Sequence, residues 1–351
     1  MPKILYLMGS AGSGKTVVAI GLAKVFQEAG FRVSYFKPKS KGGEPGKRVD
    51  DDVVLMKELL GLNLPYEIIS PFRYRPYLLT VGHTKRTGQL KSLILTSFDK
   101  LQENADILLV EGSNEPYISS SLEIDDYTLA ADFGARVLII TKIINDFSLD
   151  SAIFKDEMLK NKNIEVTGHI FNNVRRPLLD KTRGIYQPLL EEKSILLGII
   201  PEHTLITSPT VQEFQQALNG EVLVGENCLD RIIEDVVVGS MNIDSALSYL
   251  RRCLNKAVIT GGDRSDLALT ALETSTSALI LTGGLYPDVS VLTRAEEKNV
   301  PVILVYDDTY ATIEKVHHLS RQIKPGDEKI INLAYNQVKN NCDIAKLLEL
   351  I

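Results

Sequence analysis

The sequence predicts an α/β protein, a parallel sheet with helices on both faces followed by a smaller α/β domain. Three observations predict it. Short apolar runs alternate with amphipathic stretches from residue 3 to about residue 220. A glycine-rich segment, Gly9 to Thr16, sits between the first run and the first amphipathic stretch. A second, shorter strand–helix series then starts beyond Gly225, with motifs unlike those of the first.

The elements follow in order. Ile4-Leu5-Tyr6-Leu7-Met8 is unbroken apolar chain, the mark of a strand buried on both faces. Similar runs place strands at 33–36, 107–110, 137–141, 166–171 and 196–200. Apolar residues at helical spacing place helices at 16–29, 52–60, 90–103, 148–160 and 178–192. Glycine and asparagine between Leu218 and Asn227 mark a boundary, giving domains over 1–220 and 225–351. The second domain should carry strands at 236–238, 257–259, 278–281 and 302–305. Its helices should lie at 243–254, 265–272, 289–297 and 309–319.

Composition narrows the function classes. A formal charge of -6 argues against general nucleic-acid binding and gives no attraction to a membrane surface. No apolar run approaches a membrane span, and the N-terminus reads as a strand, not a signal peptide. A cytoplasmic protein is expected, with Cys228, Cys253 and Cys342 as free thiols, since their spacing fits no metal site.

Gly9-Ser10-Ala11-Gly12-Ser13-Gly14-Lys15-Thr16 matches the phosphate-binding loop G-x-x-x-x-G-K-[ST] without departure. Its backbone must curl so that successive N–H groups converge on phosphate oxygens, and the following helix adds its positive end. Lys15 then neutralises the β- and γ-phosphates, and the Thr16 hydroxyl sits on Mg²⁺. The expected ligand is a nucleoside triphosphate, written here as ATP; Asn172, compatible with adenine, does not exclude guanine.

In such a sheet the ligand lies beyond the carboxyl ends of the strands. Lys37 leaves the second strand there, its exit fixed by Pro38, while Lys39 and Lys41 read equally as solubilising loop residues. Asp50-Asp51-Asp52 precedes a helix, where carboxylates both cap the helix and help hold Mg²⁺. Glu111 ends an apolar strand with Gly112 next to it, the place for a second metal carboxylate or for an acid that organises the attacking water. Asn172-Asn173 ends another strand, where asparagine suits either an adenine edge or a turn, and Arg175-Arg176 reads as surface.

In the second domain, Thr260-Gly261-Gly262-Asp263-Arg264-Ser265-Asp266 and Leu281-Thr282-Gly283-Gly284 both follow strands. Either could offer N–H groups to an anion or serve as a tight turn and helix cap. His317-His318 has no third ligand nearby and is not read as a metal site.

Taken together, residues 1 to about 215 resemble dethiobiotin synthetase and its relatives, which include the cobyrinic acid amide synthases. The residues that carry this are Gly9–Thr16, Lys37-Pro38, Asp52, Val110-Glu111-Gly112, Asn172 and Leu197-Gly198-Ile199-Ile200-Pro201. The resemblance implies ATP bound by the loop residues Gly9, Ser10, Ala11, Gly12, Ser13, Gly14, Lys15 and Thr16, with catalytic roles for Lys15 and Lys37. It implies Mg²⁺ on Thr16, Asp52 and Glu111, with Asn172 and Pro201 near adenine. It further implies a homodimer or higher homo-oligomer, with a small metabolite bound across the interface near Ser113-Asn114. Over nearly its full length the chain looks like the N-terminal regulatory portion of long phosphotransacetylases, where such a domain precedes a DRTGG domain. Gly239–Leu250, Thr260–Asp266 and Leu281–Gly284 carry the DRTGG likeness.

Two departures shape the expectation. No acetyl-transferring domain follows within the sequence, so phosphate acetyltransferase activity is not expected. Ser113-Asn114-Glu115-Pro116 replaces the glycine-rich substrate loop of dethiobiotin synthetase, which argues against an apolar diamine substrate. The reading is a Mg-ATP-binding, ATP-hydrolysing protein whose second domain senses a metabolite or docks a partner enzyme. The alternative is an ATP-dependent ligase or synthetase that activates a carboxylate or carbamate.

Overall fold

The computed structural model describes residues 2–41, 49–74, 83–103, 105–239, 243–317, 319 and 321–351. It divides into two compact units, Met1–His203 together with Ile323–Ile351, and Thr204–Gln322.

The first unit is built on a six-stranded parallel sheet in the order β2-β5-β1-β6-β7-β8. The strands are β1 (Lys3–Met8), β2 (Val33–Phe36), β5 (Ile107–Glu111), β6 (Arg136–Lys142), β7 (Val166–Val174) and β8 (Leu196–Pro201). Each predicted strand is present. A two-stranded parallel sheet, β3 (Lys39–Lys41) with β4 (Phe72–Tyr74), was not visible in the sequence pattern because neither Lys-Ser-Lys nor Phe-Arg-Tyr is an apolar run.

The helices are α1 (Lys15–Glu28), α2 (Asp51–Leu60), α3 (Tyr66–Ile69), α4 (His83–Gln102), α5 (Asp126–Asp132) and α6 (Asp146–Asn161). The helix expected at 178–192 is present without a break, as α7 (Leu179–Lys181), a π-helical turn Thr182–Tyr186 and α8 (Gln187–Glu191). From β1 the chain crosses to β2, whereas from β5 it crosses to β6 on the other side of β1. Their opposite directions open a crevice at the carboxyl ends of β1 and β5.

Helix α1 is apolar nearly all round, which a helix on a sheet face tolerates only if its outer side is also covered. The cover is α15 (Glu328–Asn341), which buries Ile330, Ile331, Ala334 and Val338. Lys24 Nζ donates to Asn332 at 2.8 Å, and Tyr335 and Lys339 both meet Glu28, at 2.5 and 2.9 Å. The final helix, α16 (Ile344–Leu350), follows along β8, where Asp343 N donates to Leu197 O at 2.7 Å.

The second unit is a five-stranded sheet in the order β10-β11-β12-β13-β9. Strands β10 (Asp235–Val238), β11 (Lys256–Gly261), β12 (Thr276–Thr282) and β13 (Val302–Leu304) are parallel, and β9 (Glu221–Val224) runs antiparallel at the edge. Alternation along β12 feeds two cores. Leu279 and Leu281 face α11 (Ile243–Leu250), α12 (Ser265–Leu272) and α13 (Val289–Glu297). Ala278 and Ile280 face α10 (Val211–Leu218) and α14 (Thr309–Val316). The short α9 (Thr204–Thr207) opens the unit.

The division expected at 220/225 therefore differs from the structure at both ends. Val211, Phe214 and Leu218 pack into the second core and take α10 with them. The apolar stripe of α15 belongs to α1, so residues 323–351 complete the first unit and the second is inserted within it. No described helix is long and apolar enough to cross a membrane.

Gly21 marks how closely α1 and α15 approach: a Cβ there would lie 2.3 Å from Val338 Cγ2 and 2.9 Å from Ala334 O. In an exposed helix Gly→Ala gains about 1 kcal/mol. Gly21→Ala should instead lose about 1 to 3 kcal/mol in urea unfolding, through overpacking. Val338→Ala in the same chain should recover part of the loss. A stabilised single variant would refute the close packing.

Candidate functional site

The phosphate-loop segment spans the gap between β1 and α1. Gly12 and Gly14 have φ of 68° and 83°, the left-handed region that disfavours other residues. A Cβ on Gly9 would lie 2.3 Å from Ile140 O, so the loop rests directly on the end of β6. No side chain caps α1 and no acid lies in its first turn, which leaves its N–H groups and positive end available to an anion. Lys15 is 6% exposed, and its ammonium donates to Gly9 O at 2.9 Å and Ser10 O at 3.1 Å. Burial pushes its pKa down, with Glu111 pulling the other way.

The strongest cluster lies beside the loop. Lys37 leaves β2 with its N–H bonded to Ile69 O, and its ammonium meets Asp52 at 2.5 Å, Asp50 at 3.2 Å and Glu111 at 3.3 Å. Glu111 ends β5 fully buried and accepts from Thr16 Oγ1 at 3.1 Å and Tyr35 OH at 3.0 Å. Asp50 also caps α2 through Asp52 N, so capping and ion pairing share the same acidic run. Burial works to discharge Lys37, but Glu111, Asp52 and Asp50 outweigh it and hold its pKa well above the ordinary value. Burial raises Glu111 and Asp50 against the pull of Lys37. Asp52 stays lowered because Lys37 overcomes its burial.

The predicted residues Lys15, Thr16, Lys37, Asp52 and Glu111 are thus brought together. Asn172 is buried against the loop, donating its amide to Ser13 O at 2.8 Å, so it braces the loop's backbone. The Asn173 amide lies close by, 3.6 Å from where a Gly14 Cβ would stand. Pro201 ends β8, partly exposed. Arg175 and Arg176 are exposed, as expected.

Sequence reasoning missed a second charge cluster. Lys39, read as a possible solubilising residue, is fully buried; its ammonium pairs with the buried Asp126 at 3.1 Å and donates to Ile118 O at 2.8 Å. Asp126 also accepts from Ser113 N at 2.9 Å and Ser113 Oγ at 2.7 Å. Asp126 sits at the start of a seven-residue helix with no motif around it, and only the 113–126 spacing in space reveals it. The Lys41 side chain, Gly42, Gly43 and His318 lie outside the described residues, as do residues 240–242 of the 239–250 stretch.

In the second unit, the glycine-loop amides are already committed. Gly283 N donates to Asp307 O and Gly284 N to Val305 O, and Gly262 N to Thr282 O, at 2.8, 2.9 and 3.4 Å. These loops are turns that tie strand ends together, which removes those three N–H groups from the anion reading. Among the described residues no group of His, Cys, Asp and Glu is disposed to hold a metal on its own, and His317 joins none.

A family model described as an AAA domain matches residues 5–210, more than half of the chain, so the chain belongs to that family. A model described as a DRTGG domain matches residues 213–319. The phosphate acetyltransferase of Nitratidesulfovibrio vulgaris is 26% identical over 99% of this chain and 51% of its own length. The ATP-dependent dethiobiotin synthetase BioD of Bacillus velezensis is 28% identical over 57% of this chain and 87% of its own. The chain thus spans about half the length of the phosphate acetyltransferase it matches over its full extent. Among solved structures, the Pyrococcus horikoshii septum site-determining protein MinD, complexed with Mg-ADP, is a distant likeness: 14% identical, TM-score 0.38, over 59% of this chain and 84% of the other.

Lys37→Met should leave Asp50, Asp52 and Glu111 facing one another without a counter-ion. Their folded pKa values, already raised at Glu111 and Asp50, then rise further. Such groups are tolerated below their unfolded pKa and cost stability as pH climbs through the folded value. The variant's deficit should reach about 2 to 4 kcal/mol at neutral pH, tempered by the partial exposure of Asp52, and shrink towards about pH 5. Chemical denaturation across pH reads it; a deficit independent of pH would overturn the cluster.

Proposed function

We propose that this chain is a Mg-ATP-dependent nucleotide switch, in which the phosphate-loop unit binds and slowly hydrolyses ATP. Its occupancy biases the DRTGG unit, which senses a metabolite or docks a partner enzyme. The observation that carries the reading is the convergence of Thr16, Lys37, Asp52 and Glu111 beside an uncapped, glycine-rich helix start.

The residues fit both groups. Ser13 Oγ and Thr141 Oγ1 are buried without a partner at the loop and at the end of β6, the kind of orphan polar atom a bound anion satisfies. The hydroxyl of Thr16 with the carboxylates of Asp52 and Glu111 is an all-oxygen donor set suited to Mg²⁺, while Pro201 and the asparagines border the base. When bound, the cation neutralises charge between the β- and γ-phosphates. Lys15 would leave its two loop carbonyls for the phosphates, and Lys37, already charged, would stabilise the transferred phosphoryl group. Tyr35 fixes Glu111 from behind through its 3.0 Å hydrogen bond.

The regulator reading gains from the Ser113 loop. Where a synthetase would hold its substrate, both Ser113 donors are committed to Asp126. The ligase or synthetase reading rests on one different observation. Ser40 Oγ, on β3 beside Lys39, is buried with no partner, a hydroxyl that a small carboxylate or carbamate would satisfy. Both readings carry a homodimer, supported by Ile144, Phe147 and Phe154, which stand 57%, 77% and 61% exposed just beyond β6.

Lys15→Ala should weaken ATP binding by roughly a hundredfold or more in calorimetry. Unchanged affinity would remove the site. Turnover of ATP by the wild-type chain should be slow and unaffected by carboxylates, amines or acyl phosphates; strong stimulation by one of them would replace the switch with the synthetase. Phe147→Asp should shift the chain from dimer to monomer in light scattering, and an unaltered mass would place the interface elsewhere.

A further inference from the structure

The oxygens suited to the divalent cation already meet a cation that belongs to the chain. Lys37 Nζ stands 2.5 Å from Asp52 Oδ2, 3.2 Å from Asp50 Oδ1 and 3.3 Å from Glu111 Oε1. Glu111 Oε1 is the same atom that accepts from Thr16 Oγ1 at 3.1 Å. The ammonium therefore touches two members of the Thr16, Asp52 and Glu111 donor set and shares an oxygen with the third. Glu111 Oε2 is taken by Tyr35 OH at 3.0 Å, so both carboxylate oxygens have partners drawn from the chain. The Lys37 and Glu111 side chains are only 9% and 3% exposed, so water screens their contact little.

Two cations thus compete for Glu111 Oε1 and Asp52 Oδ2, and they do so on unequal terms. Mg²⁺ gives up its water reluctantly, and beside one or two carboxylates it usually takes further ligands from substrate phosphates. The ammonium is tethered next to the same carboxylates, which gives it a high effective concentration there. It also repels a second cation brought to the same oxygens. Without phosphates the tethered cation holds the place.

Phosphates reverse the balance. They supply the metal with oxygens of their own and offer the ammonium another anion. Only the Lys37 side chain has to turn for this. Its backbone is fixed, with Lys37 N donating to Ile69 O at 2.9 Å, while the four-carbon stem stays flexible.

We propose that Lys37 is the chain's own stand-in for the divalent cation. It keeps the metal off Asp52 and Glu111 until a nucleotide arrives, then turns to the phosphates, so that metal and nucleotide enter together. The inference rests on the nucleotide-site reading and adds the residue that decides when the metal is admitted.

The test is Mn²⁺ binding to the full chain without nucleotide, read from the electron paramagnetic resonance signal of the free ion. Carboxylate and hydroxyl oxygens suit Mn²⁺ as they suit Mg²⁺. Lys37→Met should bind one Mn²⁺ roughly tenfold or more tightly than the wild-type chain does. Adding Glu111→Gln to Lys37→Met should remove most of that gain. Equal affinity in the wild type and Lys37→Met, or a gain that survives Glu111→Gln, would overturn the stand-in. Melting curves give a second readout, since Mn²⁺ should raise the melting temperature of Lys37→Met and leave that of the wild type unchanged. Should Lys37→Met be unfolded without metal, Mn²⁺ should restore its circular dichroism, and no recovery would equally overturn the proposal. Calorimetry of Mg-ATP on the wild type keeps the two readings apart. Absence of binding there would remove the nucleotide site, while a gain of Mn²⁺ in Lys37→Met would still support the stand-in.

Discussion

The contact on which the first unit's chemistry depends is the Lys37 ammonium among Asp50, Asp52 and Glu111. The cluster draws on three elements: Lys37 at the end of β2, both aspartates at the start of α2 and Glu111 at the end of β5. Removing Lys37 leaves buried carboxylates uncompensated, so the cluster ties two strand ends and a helix start together. Thr16 and Tyr35 then attach to the same Glu111, which ties α1 and the sheet interior into the arrangement. The phosphate loop is positioned by these contacts as much as by its own glycines.

Around that centre the fold keeps its charges in compact, separate groups. Lys39, Asp126, Ser113 and Ile118 O form one such group under the loop after β5. His169 and Asp156, 2.8 Å apart and buried between β7 and α6, form another. In each case a strand delivers a polar side chain to the interior and a neighbouring element meets it, as buried polar groups require.

Much of this was legible in the residues. Continuous apolar strands such as 4–8 and 107–110 declared a covered parallel sheet, motif plus strand-end placement selected Lys15, Thr16, Lys37 and Glu111, and the family resemblance singled out Asp52 among its three neighbours. What the sequence hid depends on contacts between distant segments. Lys39 looks like any loop lysine until Asp126 is placed against it. Asn172 looks only like a base-reading or turn amide until its donor is seen to brace Ser13 O as well. The glycines at 261–262 and 283–284 advertise an anion nest, but their carbonyl partners on neighbouring strands cannot be inferred from local pattern. The cover over α1 was not read from the sequence, which marked that helix only by its apolar spacing, because it needed residues some three hundred positions away to supply it.

That last feature governs how the protein comes into being on the ribosome. Helix α1 emerges early with apolar faces on both sides, but its outer cover, α15, is made only after the whole inserted unit. Domains generally fold as units while they are being synthesised. Thr204–Gln322 can therefore close around its own cores while the nucleotide unit still waits for its last layer. During that interval the outer face of α1 stays exposed, a surface for chaperones to shield. Completion of the nucleotide unit is thus tied to synthesis having passed through the inserted one.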